Sequence, residues 1–173
     1  MRARKPSRKP PQLTQESLES LALRYVERYA TTEAKLAIYL SRKLRERGWA
    51  GLEVPAIESI VSRFAALGYV DDRQFAETRA RGLERRGYGA RRIGAALAAA
   101  GIKADVREDI ADTLDARAAA LALARRRRFG PFGEAVDHAG RQRQFAAMLR
   151  AGHAPGVVAE ILGAASEDAL YEE

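Results

Sequence analysis

Gly68-Tyr69-Val70-Asp71-Asp72-Arg73-Gln74-Phe75-Ala76 packs a helix stop and a helix start into nine residues. Gly68 ends an amphipathic segment where the chain needs a residue tolerant of positive φ, and Asp71 stands ready to cap the next helix. With Asp71 as N-cap, Gln74 falls at the third helical position for a capping-box contact, while Val70 and Phe75 occupy the two positions of a hydrophobic staple. These roles account for the stretch without a ligand. Asp72 is explained least, as a favourable charge beside the helix dipole. A metal site is discounted, because adjacent helical positions point about 100° apart and no His or third acid lies close in sequence.

Working outward, the pattern is helical on both sides. Apolar residues recur at three- and four-residue spacings, with no alternating strand. Leu18, Leu21, Tyr25 and Val26 mark a first helix; Leu36, Leu40 and Leu44 a second; Ile57, Ile60, Val61, Phe64 and Leu67 a third. Asp71 to Arg86, Ala90 to Ala100 and Asp105 to Leu114 read as three more. Ala116 to Arg128, a segment near Asp137 to Ala151 and a short one opened by Pro155 complete about nine. Alanine dominates the apolar residues, which favours closely packed helices over strands.

The same register recurs along the chain. Leu44 precedes Gly48-Trp49, Leu97 precedes Gly101-Ile102, and Met148 precedes Gly152-His153, each glycine following its apolar residue by four positions and roughly fifty residues separating the sets. Pro55 and Pro155 are both expected at the start of a third helix, where Pro is favoured. The expected fold is all-α, an elongated tandem array of three-helix repeats. Its divisions are a basic flexible arm over 1–13, repeats over 14–68, 69–115 and 116–165, and an acidic tail over 166–173. The glycine turns read as structural, and His153, without an acidic neighbour in sequence, as a surface or packing residue rather than a general base.

Composition narrows the chemistry. The chain has no cysteine, which excludes disulfides, thiolate metal sites and a thiol nucleophile and suits a reducing compartment. Met1 to Pro11 is basic without a following apolar run, and the richest apolar stretches, Ala95 to Ala100 and Ala118 to Ala124, are too short to span a bilayer, so a cytoplasmic protein is expected. No phosphate-cradling P-loop, zinc-protease helix or nucleophile elbow is present, and no cofactor is implied. Gly87-Tyr88-Gly89 lacks a preceding strand and reads as a tight interhelical turn rather than a phosphate loop.

A net charge of +7 implies attraction to a polyanion or an acidic protein surface. The cations cluster at Arg42, Lys43, Arg45 and Arg47, at Arg85, Arg86, Arg91 and Arg92, and at Arg125, Arg126, Arg127 and Arg128. The middle cluster flanks one turn, so two successive helices can present it to a common surface. Four consecutive arginines point around their helix, so at most two of the last cluster share a face. Aromatics make up only 7% of the chain, and Phe64 and Phe75 take core positions, so no base-stacking surface is expected.

Gly68-Tyr69-Val70-Asp71-Asp72 with Phe75-Ala76, then Arg86-Gly87-Tyr88-Gly89, Arg92-Ile93, Leu97 and Gly101-Ile102, resembles the RecX family. The likeness is close from Gly68 to Ile102 and looser elsewhere, through helix count, register and length. The chain departs from the family habit at Ala98, Ala99 and Ala100, where a charge usually precedes the glycine, and lacks the common acid before Leu36. The resemblance implies a tandem three-helix-repeat regulator of RecA, the recombinase that forms filaments on single-stranded DNA. Such a regulator lies in the filament groove and restrains its growth, ATP hydrolysis, strand exchange and coprotease activity, without catalysis of its own. The partners so implied are the RecA filament and single-stranded DNA, not a membrane. A monomer is expected, since repeats cover one another's apolar faces. The alternative is an independent basic DNA-binding protein, whose affinity would depend strongly on salt.

Overall fold

The computed structural model describes residues 11–171. Among them the chain is all-helical, as expected. The helices are α1 (Gln15–Arg28), α2 (Glu33–Arg47), α3 (Ile57–Ala66), α4 (Asp72–Glu84), α5 (Ala90–Ala99), α6 (Ala104–Asp112), α7 (Ala116–Arg127), α8 (His138–Arg150) and α9 (Pro155–Gly163). The only strand-like pairing among the described residues is an isolated parallel bridge between Leu13 and Trp49. The chain divides into two compact units, Met1–Asp72 and Arg73–Glu173.

In the first unit, local chemistry sets the helix ends. Thr14 and Ser17 form a reciprocal capping box at α1, with Ser17 N–H donating to Thr14 Oγ1 at 3.3 Å and Thr14 N–H to Ser17 Oγ at 2.8 Å. Thr32 caps α2 by accepting from Lys35 N–H at 3.2 Å. At the end of α3, Gly68 takes φ 76°, Gly68 N–H reaches Ala65 O and Tyr69 N–H reaches Phe64 O, closing the stop that the sequence announces. Leu18, Leu36, Leu40, Ile60 and Phe64 meet in one buried cluster, which Val70 joins as the chain turns toward α4. Each such fully buried side chain contributes about 1.5–3 kcal/mol.

Two sequence expectations change here. Leu13, assigned to the flexible arm, is buried, because its N–H donates to Gly48 O and its carbonyl accepts from Ala50 N–H, both at 2.9 Å. Residues 1–10 of that arm lie outside the described residues. Pro55 is not the first residue of a helix: α3 begins at Ile57 after an Ala56 cap, and Ile57 N–H donates to Pro55 O. Pro155 does open α9.

The second unit holds two buried clusters. One gathers Ala76, Ala80 and Leu83 of α4 with Ile93 and Leu97 of α5 and Ile110 of α6. The other gathers Leu121 and Ala124 of α7, Met148 of α8, and Val158 and Ile161 of α9. Leu170, placed in an acidic tail by the sequence, is buried in that second cluster, and its carbonyl accepts from Arg117. Glu172 and Glu173 lie outside the described residues. The recurring glycines Gly48, Gly101 and Gly152 all adopt positive φ, at 79°, 81° and 97°, each just beyond a helix.

Candidate partner-binding surface

The turn between α4 and α5 organises the arginines. After Glu84 the chain closes with Gly87 N–H to Glu84 O at 2.7 Å and Tyr88 N–H to Leu83 O at 3.1 Å. The two glycines then serve close packing. A Cβ on Gly87 would meet Leu123 Cβ of α7 at 3.0 Å, and one on Gly89 would meet the carbonyl oxygen of Gly152 at 2.4 Å. Gly89 N–H donates to Ala151 O at 2.9 Å, and Arg91 N–H to Gly152 O at 3.3 Å. With Arg92 and Ile93 N–H donating to Gly89 O, the first amides of α5 are already engaged by protein carbonyls. The motif is therefore the tight turn expected, seated on the 152 turn.

That seating holds the middle cluster in place. Arg85 and Arg86 follow α4, and Arg91 and Arg92 occupy the first turn of α5; all four are exposed. Arg92 lies over the Tyr88 ring at 5.0 Å. None of the ion pairs among the described residues takes up any of these four. α5 has no acid in its first turn. A cation there opposes the helix dipole, at a cost of about 0.3–1 kcal/mol each. Local stability is thus not what Arg91 and Arg92 supply, whereas a carboxylate or phosphate partner would relieve the unfavourable field.

The last cluster splits. Arg126 donates to the carbonyl of Arg86, which brings the end of α7 to the same turn. Arg125 instead pairs with Glu167 at 2.5 Å, reaches Tyr171 Oη at 2.9 Å and covers the Phe132 ring at 5.2 Å. That carboxylate hydrogen bond and its charge raise the guanidinium pKa. Arg127 and Arg128 are exposed, and Arg128 ends the helix in the left-handed region at φ 56°. The structure therefore joins Arg85, Arg86, Arg91, Arg92 and Arg126 around one turn and turns Arg125 to an internal tie.

Two residues take roles that spacing alone did not show. Asp72 Oδ1 accepts from Glu33 N–H at 2.9 Å, so the first residue of α4 supports the start of α2 within the first unit. His153 is buried, and its Nε2–H donates to Gly87 O at 3.0 Å, since a carbonyl can only accept. Burial holds its pKa below the usual value, and Nδ1 has no partner, which makes it a neutral packing residue that ties α8's turn to the signature glycine. Of the other signature residues, Ala76, Ile93 and Leu97 are core, Val70 is buried, Phe75 packs on the α4–α6 cluster, and Tyr69 is half exposed. Asp71 immediately precedes α4, and Gln74 is its third residue.

Among the described residues no helix is long and apolar enough to cross a membrane, and no group of three His, Asp or Glu side chains is placed to hold a metal. Comparison with known proteins agrees with the signature. Residues 71–109 match the family model of RecX, second three-helix domain. Regulatory protein RecX of Myxococcus xanthus (strain DK1622) is 29% identical over 166 residues, which span 90% of this chain and 89% of that protein. The crystal structure of RecX from Lactobacillus salivarius superposes with a TM-score of 0.67 at 17% identity, covering 86% of this chain and 94% of that one. A second structure, of regulatory protein RecX, gives 0.65 at 19% identity over 86% of this chain and 71% of the other. At those identities the two structures speak for the fold, and the sequence matches bear out what Gly68 to Ile102 first indicated, the likeness of this chain to the RecX family of regulatory proteins.

Proposed function

We propose that this protein regulates the RecA filament on single-stranded DNA, mainly by inhibiting its ATP hydrolysis, recombination and coprotease activities. The observation that supports this reading is the set of exposed arginines around the α4–α5 turn, presented without internal carboxylate partners by the segment that matches the RecX model. Guanidinium forks suit both protein carboxylates and DNA phosphates, the two anions that such a filament offers. The signature glycines act one step behind the surface: they let the turn sit against α7 and the 152 turn, so the arginines are held by backbone rather than by flexible loop.

The test is RecA's single-stranded-DNA-dependent ATP hydrolysis with the purified protein titrated in, beside its binding to bare DNA. Inhibition at concentrations well below RecA with weak binding to bare DNA is expected, and the paired variant Arg91→Glu/Arg92→Glu loses that inhibition. An unaffected RecA, together with tight binding to bare DNA whose affinity falls steeply with salt, overturns the proposal in favour of an independent DNA-binding protein. In that case each arginine lost from a phosphate contact lowers the salt slope by about 1.

A further inference from the structure

Charge is sorted by face on α6. Asp105, Glu108, Asp109 and Asp112 fall at i, i+3, i+4 and i+7, and all four are exposed. At about 3.6 residues per turn they share an arc of about 100° and run about 10 Å along the helix. Arg107 stands on the opposite side, with its Nε buried. Asp109 pairs with Arg73, while Asp105, Glu108 and Asp112 enter no ion pair among the described residues. The stripe does not serve the helix that carries it. Asp105 with Asp109, and Glu108 with Asp112, are like charges four residues apart, which repel one another. Asp112 also stands in the last turn, where an acid opposes the helix dipole and no basic residue offsets it.

The first compact unit carries the complementary surface, a groove lined by Arg24 and Arg28 of α1 and by Lys35, Arg42 and Lys43 of α2, with no carboxylate in its lining. Glu46 lies at its margin and pairs with Lys43 at 2.6 Å and Arg42 at 3.7 Å. Aromatic rings hold several of these cations in place. Arg28 lies 5.6 Å from the Tyr29 ring centre, and Arg42 and Lys43 lie 5.7 and 5.9 Å from that of Tyr39, which stacks on Tyr25 at 4.1 Å. Lys35 to Lys43 spans about 12 Å along α2, the length of the acidic stripe. In the groove wall Thr31 is 6% exposed, and its Oγ1 has no hydrogen-bond partner. A buried hydroxyl without a partner is uncommon in a protein's own packing, and this one is free to donate to a carboxylate.

We infer that the acidic stripe of α6 on one copy of this chain docks in the basic groove of α1 and α2 on a second copy. The two surfaces match in sign and in length, and each relieves the repulsion within the other. A second copy also supplies the stripe at the same concentration as the groove. The expectation of a monomer rests on covered apolar faces, and an ionic contact needs no free apolar face. Such a contact covers the basic groove of one copy with the acidic helix of the next. It does not depend on the filament reading, so its test contains no RecA.

The experiment is sedimentation velocity of the full, nuclease-treated chain over a range of concentrations, at about 0.1 M and about 1 M salt, where charges are screened beyond about 10 Å and about 3 Å. At the lower salt the wild-type mass is expected to rise with concentration above the 19.0 kDa of one chain, and at the higher salt to return to it. Arg24→Glu/Arg28→Glu and Glu108→Lys/Asp112→Lys each weaken self-association more than about tenfold. Mixed in equal amounts, the two variants associate with each other, because the acidic groove of one meets the basic stripe of the other. Circular dichroism checks that each keeps its helices; should a reversal lower helix content, Arg24→Gln/Arg28→Gln and Glu108→Gln/Asp112→Asn weaken the same contact without introducing new charge. A treated wild-type chain that stays at 19.0 kDa at the lower salt overturns the inference, and a mass raised only before nuclease treatment assigns the groove to nucleic acid and overturns it too. So does wild-type association in both reversal variants, or a folded pair of them that fails to associate when mixed.

Discussion

Replacing Gly89 with alanine tests whether the signature turn is a packing device. Gly89 sits at φ −82°, a value any residue adopts, so the substitution carries no conformational penalty of its own. Its added methyl would stand 2.4 Å from Gly152 O, 2.5 Å from Gly152 C and 2.7 Å from His153 N, all backbone atoms that no rotamer change can move. Relieving such overpacking costs about 1–3 kcal/mol. Separating the two turns also stretches Gly89 N–H to Ala151 O and Arg91 N–H to Gly152 O, at about 0.5–1.5 kcal/mol each. The expected loss is about 2–6 kcal/mol, a large share of the about 5–15 kcal/mol that holds a domain folded. Urea unfolding followed by circular dichroism reads it as a midpoint lowered by about 1 M or more. Gly94→Ala is the control: Gly94 lies inside α5 with nothing within 4 Å of its added methyl. That variant gains about 0.5–1 kcal/mol from helix propensity. A Gly89→Ala midpoint equal to wild type, or shifted upward as in Gly94→Ala, would refute the close-approach argument.

Two further perturbations follow from the same geometry. Asp72→Ala removes the acceptor for Glu33 N–H and the acid at the start of α4, and is expected to cost about 1–3 kcal/mol, while Asp72→Asn, which keeps an oxygen acceptor, costs less than half of that; urea midpoints compare the two. His153 titrates with a folded pKa depressed by burial, so the unfolded chain binds its proton first as the pH falls. Its contribution to stability is therefore full above the unfolded value near 6.5 and declines as the pH drops through that value toward the folded one. His153→Gln, which can still donate to Gly87 O but does not titrate, flattens that part of the stability profile; an unchanged profile between wild type and variant would show that the buried imidazole is not its source.

The unpaired arginines and the signature glycines divide the work of the α4–α5 turn. Gly87 and Gly89 admit α7 and the 152 turn to backbone contact, and the cations ride on the outside of that seat. Substitutions at the two kinds of site separate accordingly. Under the proposed function, arginine variants are expected to change partner binding while leaving the fold intact, because the side chains are exposed and pair with no carboxylate, whereas glycine variants are expected to act on the unit that holds them.

Sequence by itself determined what depends on near neighbours along the chain. Helical periodicity, the Gly68 stop and the recurring Gly48, Gly101 and Gly152 turns are all local, since turn bonds and a glycine's positive φ span only a few residues. The same locality carried the resemblance from Gly68 to Ile102. Tertiary structure decided everything that joins residues distant in sequence. Arg126 meets the carbonyl of Arg86, Arg125 withdraws to Glu167, Asp72 reaches back to Glu33, and His153 finds Gly87 across 66 positions of chain. Leu13 and Leu170, read from the sequence as parts of loose ends, become core because apolar clusters far from them in sequence leave room for a side chain there. Tyr25 of α1 and Tyr39 of α2 stack for the same reason: helical spacing says which residues share a face of one helix, and only the packing of two helices says which faces meet.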